Sequence, residues 1–341
     1  MDSKNELLPT VREGLLYETK AQRVQCNLCE RHCLIHEGKR GFCKTRMNID
    51  GKLYTLVYGD VNALESMPIE IKPFFHFYPG SSALTFSTWI CNFPCPWCQN
   101  FHLSKKQPEP GNANFIAPEA IVKMAIDNKD DGLCGSFTEP TLLFEYCLDT
   151  FPLAREKGLY NCFVSNGYMT LEALRMLKED GMDAIKIDMK GNSEVYRKYC
   201  AADSEVVWRN IKEAKRLGMH VEVVNLVITG VNDSKECLKE IILRCKEIDP
   251  SMPLHFTRYR PAYKFTSPAT EKETLEKAYM MAKDAGIKFP YIGNISGHRY
   301  ENTYCPSCGE VLIERLSYRV IAFKLKDKRC PACGESIPIM G

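Results

Sequence analysis

Three cysteines fall within eight residues, Cys91, Cys95 and Cys98, in the run Ile90-Cys-Asn-Phe-Pro-Cys-Pro-Trp-Cys-Gln99. Four thiolates close a [4Fe-4S] cube. Three from one short loop therefore leave one iron without a protein ligand, open to a substrate or cofactor. Pro94 and Pro96 each fix φ and remove a backbone donor, so the segment reads as a loop wrapped round something and not as a helix. The competing reading is a zinc ion completed by His102, four residues on. Zinc ligands usually come as C-x2-C pairs, and the chain carries those elsewhere.

Seventeen cysteines in 341 residues are hard to explain as disulfides in a reducing compartment, and eleven are spaced like metal ligands. Cys26, Cys29, Cys33 and Cys43 can hold zinc or an additional [4Fe-4S] cluster; spacing does not separate the two, and zinc is slightly favoured. Near the other end, Cys305-Pro-Ser-Cys308-Gly and Cys330-Pro-Ala-Cys333-Gly form paired knuckles, whose glycines allow positive φ beside sulfur. These four read as a tetrathiolate site, zinc in preference to a rubredoxin-type iron. Such a site staples a module too small to bury its own core. Cys134 and Cys162 lie in strand-like runs, and Cys147, Cys237 and Cys245 in helical ones, where a thiol is a small buried hydrophobe.

Composition removes other classes. With 45% hydrophobic residues and a net charge of +2, the chain can bury one large core plus small modules. The balanced charge does not suit a dedicated nucleic-acid binder, and Lys105-Lys106 and Lys324 to Arg329 read as solvated faces. The N-terminus is charged and no apolar run of about 18 residues follows, so neither signal peptide nor membrane span is expected. The expected location is the cytoplasm.

Positioning the central loop requires a scaffold, and the middle of the chain supplies one. Apolar or β-branched runs near 82–89, 132–137, 159–165, 183–189, 221–229, 253–258 and 287–292 alternate with helix-period segments. The helices fall near 117–128, 141–157, 170–180, 203–218, 233–247 and 271–286, with Thr170 and Asp233-Ser234 as caps and Gly158, Gly218 and Gly286 past helix ends. This alternation predicts an α/β fold, a partial or complete (β/α) barrel. A doubly wound dinucleotide fold is disfavoured because no G-x-G-x-x-G follows the first strand. The expected organisation is a Cys-rich metal-binding segment over 1–60, the barrel over 61–298 and a four-cysteine ribbon over 299–341.

Barrel sites lie at the C-terminal ends of the strands. There the first strand delivers the cysteine loop, the second Phe137-Thr138-Glu139-Pro140, the third Ser165-Asn166-Gly167 and the fourth Asp188-Met189-Lys190. Singly, each has an ordinary explanation as a turn, a cap or a surface ion pair. Four successive strand ends make the combined case stronger.

The C-x3-C-x2-C loop, with Trp97 before its last thiolate, resembles the radical S-adenosylmethionine (SAM) superfamily. That resemblance implies a cluster whose open iron is chelated by the methionine part of SAM, with Trp97 and Thr138 beside the cofactor. Glu139 stands where the family's Gly-Gly-Glu motif falls, and so would hold the SAM ammonium. Ser165 and Asn166 match the Thr-Asn-Gly segment of the activating-enzyme branch, and Asp188 with Lys190 its Asp-x-Lys, implying contacts to the ribose or the methionine carboxylate. The chain departs from the family at Phe137-Thr138, which replaces the two glycines, at Val164, where pyruvate formate-lyase activating enzymes carry Asp, and at Ile90, where Gly is usual.

The run Pro68 to Gly80, the Cys-Asn-Phe-x-Cys-Pro-x-Cys-Gln-Asn motif and Tyr291-Ile292-Gly293-Asn294 with two terminal cysteine pairs look like the AmmeMemoRadiSam-system radical SAM enzymes. These are relatives of pyruvate formate-lyase activating enzyme. The resemblance spans about Cys26 to Pro338 and carries one deviation at Ile71, where members typically have Lys. It implies an oxidoreductase that takes an electron from a reducing donor, cleaves SAM and uses a 5′-deoxyadenosyl radical for hydrogen abstraction. The substrate would be a glycyl-radical partner protein, or a small molecule or peptide in a stand-alone enzyme. His76, Cys200, His255 and Arg258 are further pocket candidates, and residues Phe101 to Phe115 a candidate lid. A different class, a non-enzymatic zinc or metal-binding scaffold, predicts neither labile iron nor SAM binding.

Overall fold

Strand-helix alternation becomes a single sheet flanked by helices. In the computed structural model, which describes residues 8–341, eight strands lie in chain order: β1 (Ala63–Pro68), β2 (Ser82–Ser87), β3 (Gly132–Gly135), β4 (Tyr160–Ser165), β5 (Ala184–Asp188), β6 (His220–Val227), β7 (Leu254–Arg258) and β8 (Pro290–Gly293). The order runs from edge to edge, so the arrangement is a partial (β/α) barrel. Pairing is parallel from β2 to β4 and from β5 to β8.

The connecting helices are α1 (Pro118–Asp127), α2 (Phe144–Glu156), α3 (Leu171–Glu179), α4 (Ser204–Arg216), α5 (Lys235–Ile248) and α6 (Lys272–Ala285). Side-chain caps start three of them, α3, α4 and α5. Thr170 Oγ1 accepts from Ala173 N at 3.3 Å ahead of α3, and Ser234 Oγ from Cys237 N at 3.2 Å ahead of α5. Each cap satisfies one of the orphan donors of a first turn. In α4 the buried residues Val207, Trp208, Ile211 and Ala214 recur at the helical period.

The chain divides into two compact units. One comprises the segment ending at Ser66, Ala83–Pro94 and Asn100–Asp183; the other comprises Met67–Ser82, Cys95–Gln99 and Ala184–Gly341. In the first unit, the Cys-rich segment forms two small three-stranded sheets and is joined to the β4 exit by Glu30 N to Tyr168 O at 3.1 Å and Thr170 N to Leu28 O at 3.1 Å. In the second, the ribbon strands Thr303–Tyr304, Val311–Leu316 and Arg319–Phe323 share an apolar core with Phe75, Phe289 and Tyr291. None of the described helices is long and apolar enough to cross a membrane.

Candidate active site

Within the first unit, the ends of β2, β3 and β4 meet through polar side chains. The Glu139 carboxylate, 1% exposed, accepts from Ser165 Oγ at 2.8 Å, Thr141 Oγ1 at 2.6 Å and Thr141 N at 3.2 Å on Oε1, and from Asn166 N at 2.8 Å on Oε2. Burial pushes the Glu139 carboxyl up, and these donors oppose it. Asn166 Nδ2 in turn lies 3.8 Å from Cys91 Sγ and donates to Asn92 Oδ1 at 2.6 Å. The first thiol of the loop is thereby connected to the two strand ends chosen from sequence. Thr138 Oγ1 donates to Thr88 O at 3.0 Å, tying β3 to the exit of β2.

Two departures from the glycine pattern carry backbone strain. Ile90 and Phe137 both have φ of 62°, in the left-handed region that glycine tolerates and a β-branched Ile avoids. Strain of this kind concentrates at functional sites.

Within the second unit, the later part of the loop packs against the exit of β5. Cys95 Sγ lies 3.7 Å from Cys200 Sγ. Cys200 is fully buried in a π-turn over Tyr196–Cys200. Trp97 is buried against Tyr199 and Phe265, with ring centroids 5.1 and 5.6 Å away. Lys264 N donates to Pro96 O at 3.0 Å. Cys98 is half-buried.

Asp188 is clamped by two ammonium groups, Lys186 and Lys190, the latter at 3.0 Å. Burial alone would raise the Asp188 carboxyl, but the two lysines hold it well below the usual range. Burial would lower Lys190, and Asp188 outweighs it, so the ammonium stays charged. Lys186 was not singled out from sequence. The signal was present, because residues two apart on a strand share a face.

Two of the further candidates leave the rim. His255 is the second residue of β7, at its N-terminal half, and His76 is fully buried. Both belong to a network round Glu222, which accepts from His255 Nε2 at 2.7 Å, His220 Nε2 at 2.9 Å and His76 N at 2.8 Å. His76 Nε2 meets Tyr291 OH at 2.6 Å. Burial lowers the His76 imidazole to about 3, which keeps it neutral near pH 7. Arg258 does stand at the C-terminal end of β7, where its Nε donates to Thr270 O at 2.8 Å.

The candidate lid is pinned in place. Asn114 N donates to Asp60 Oδ1 at 3.0 Å, Asn114 Nδ2 to Val61 O at 2.7 Å and Arg40 Nη1 to Pro108 O at 3.1 Å. His102 is exposed on the short helix Phe101–Ser104.

The terminal cysteine sets differ in geometry. Cys305, Cys308, Cys330 and Cys333 place their sulfurs within 4.8 Å of one another. A tetrahedral ion with bonds of about 2.3 Å needs sulfurs roughly 3.8 Å apart, so this set fits a single ion. Gly309 N returns to Cys305 O at 3.0 Å and Gly334 N to Cys330 O at 2.9 Å, with φ of 79° and 78°, as the paired knuckles predict. Among the described residues no other three Cys, His, Asp or Glu ligand atoms converge in this way.

Comparison with known proteins identifies the family. The model of the Radical SAM superfamily matches residues 86–245. The chain is 44% identical to an uncharacterized protein of Methanocaldococcus jannaschii, MJ0808, over 97% of this chain and 100% of that one. It is also 22% identical, over 50% of this chain and 72% of the other, to a protein of the same organism whose name marks it as a candidate glycyl-radical enzyme activating enzyme. A radical SAM methyltransferase from Sphaerobacter thermophilus shares the fold, with a TM-score of 0.50, 14% identity and coverage of 66% of this chain and 71% of that one. The chain belongs to the radical SAM superfamily, enzymes that use a [4Fe-4S] cluster and S-adenosylmethionine.

Proposed function

We propose that this protein reductively cleaves SAM at a [4Fe-4S] cluster held by Cys91, Cys95 and Cys98, and directs the radical to a glycine of a partner protein. The observation that carries the reading is the contact chain from Cys91 through Asn166 to Glu139. It joins a cluster thiol to two of the residues that the family resemblance assigns to SAM. When bound, the cluster supplies one electron to the SAM sulfonium, releasing methionine and a 5′-deoxyadenosyl radical for hydrogen abstraction. The electron comes from a low-potential one-electron donor.

The chain's own residues bind, orient and shield. Glu139 Oε2 accepts one protein hydrogen bond, and a carboxylate oxygen has capacity for a second, so the SAM ammonium has an acceptor there. Ser165 and Asn166 hold that carboxylate in orientation. At the β5 exit Lys186 and Lys190 outnumber Asp188, leaving one net positive charge for the methionine carboxylate, while Asp188 serves the ribose. Trp97, packed on Tyr199 and Phe265, helps exclude water. At the ribbon, zinc is the ion that suits four converging thiolates and a purely structural role. The cytoplasm suits a protein whose cysteines must stay reduced.

The protein-substrate reading draws on the resemblance to activating enzymes and on the name of the candidate activating-enzyme relative. Anaerobic incubation with SAM and a one-electron reductant is expected to release methionine and 5′-deoxyadenosine. The Cys95→Ala variant is expected to release neither. No products from iron-loaded parent protein would overturn the proposal. A glycyl-radical spectrum on a partner, rather than a modified small molecule, separates the two substrate classes.

A further inference from the structure

The four N-terminal cysteines were left between zinc and a cluster by their spacing, and their arrangement in the fold separates the two. Cys26, Cys29, Cys33 and Cys43 line one small cavity together with Arg46, Asn92 and Leu142. No three of their sulfurs come within 4.8 Å of one another, in contrast to the ribbon set, where all four do. A single tetrahedral ion draws its thiolates to an edge of roughly 3.8 Å. A cubane places four irons and four sulfides between the thiolates and gives each its own iron, which holds the sulfurs wider apart. The same chain thus contains one set closed for a single ion and another arranged round a volume.

The walls of that volume suit an anionic inorganic core. Arg46 lines the cavity with its side chain 1% exposed, bound to Glu145 at 2.6 Å and to Leu142 O at 3.3 Å, while its Nε has no hydrogen-bond partner. Phe42 N already points to Cys33 Sγ at 3.4 Å, the backbone donor that cluster thiolates use. Asn92 closes another wall. Its Oδ1 lies 3.8 Å from Cys91 Sγ, and its carbonyl accepts from Arg31 Nε at 2.8 Å.

We propose that Cys26, Cys29, Cys33 and Cys43 hold a second [4Fe-4S] cluster, fully ligated by thiolate and separated from Cys91 by the width of Asn92. Four protein ligands leave no open iron, so this cluster does not bind SAM. It is a one-electron centre beside the SAM site, not a second site of substrate chemistry.

The test uses full-length protein reconstituted anaerobically with iron and sulfide, in parent form and as the Cys91→Ala/Cys95→Ala/Cys98→Ala triple variant. The parent is expected to carry about eight irons, and the triple variant about four. Dithionite-reduced triple variant is expected to give a [4Fe-4S] electron paramagnetic resonance signal that SAM does not alter. A Cys26→Ala/Cys29→Ala variant is expected to lose about half the parent's iron. About four irons and two zincs in the parent, with an iron-free triple variant, would overturn this proposal and leave the SAM-cleavage reading standing. A triple variant that keeps all of the parent's iron would contradict that reading instead. The triple variant leaves the N-terminal module untouched, so the test holds even where the Cys26→Ala/Cys29→Ala protein fails to fold.

Discussion

Glu139 Oε1 accepts the Ser165 hydroxyl at 2.8 Å, so the carboxylate assigned to SAM also fastens the end of β3 to the end of β4. Every donor that reaches Glu139, from Ser165, Thr141 and Asn166, points a hydrogen at an acceptor-only group.

Replacing Glu139 by Gln turns one of those oxygens into a donor facing donors. A charge-assisted hydrogen bond contributes about 1.5 to 3 kcal/mol. Glu139→Gln is therefore expected to weaken SAM binding tenfold or more, at about 1.4 kcal/mol per decade, and to lower the unfolding midpoint as well. Calorimetric titration with SAM and thermal unfolding measure the two effects. A lowered midpoint with unchanged SAM affinity would confine Glu139 to positioning.

Cys200 is expected to tune the cluster, not to ligate it. Its Sγ stands 3.7 Å from Cys95 Sγ, and hydrogen bonds to cluster sulfurs help set the reduction potential. Cys200→Ala should retain the parent's iron content while its potential falls, because a donor that stabilises the more negative reduced state is gone. An electron paramagnetic resonance redox titration reads this directly. Loss of iron in the variant would make Cys200 a ligand.

Ile90 occupies a backbone position that suits glycine. A non-glycine residue in such a region costs of order 1 to 3 kcal/mol, comparable to the apolar burial a half-exposed Ile contributes. Ile90→Gly is thus expected to change stability by less than about 1 kcal/mol and to keep its iron. A loss of several kcal/mol in chemical denaturation would show that the side chain matters more than the strain.

The Glu222 network predicts a pH dependence. Burial lowers the folded His76 imidazole to about 3, against about 6.5 in an unfolded chain. Between those values the unfolded chain binds a proton that the folded one does not, so the contribution is full above about pH 6.5 and is lost as pH falls toward about 3. The unfolding midpoint should drop between pH 7.5 and 5, and His76→Gln should show a shallower slope. An unchanged slope in the variant would remove His76 from the account.

Legibility in the sequence followed locality. The strands from β2 to β8 and the six helices were readable because period and caps are written in neighbouring residues such as Thr170 and Ser234. Strand β1 was missed, since Ala63–Pro68 is largely exposed and lacks alternation. The strand-end residues Glu139, Ser165 and Asn166 were legible as a set, and the fold brings them together. His76 and His255 were misplaced because their environment depends on Glu222, far along the chain, and a buried partner leaves no local pattern. Likewise, the spacing of Cys26 to Cys43 counts ligands but does not say whether they converge on a point or surround a volume.

The central claim is an open iron at the Cys91, Cys95 and Cys98 cluster that SAM occupies through its methionine amino group. Electron-nuclear double resonance on reduced protein with SAM labelled by nitrogen-15 at that amino group tests it directly. The account predicts a nitrogen coupling to a [4Fe-4S] signal in the parent and none in Cys95→Ala. A reduced parent cluster with no such coupling at saturating SAM would contradict it.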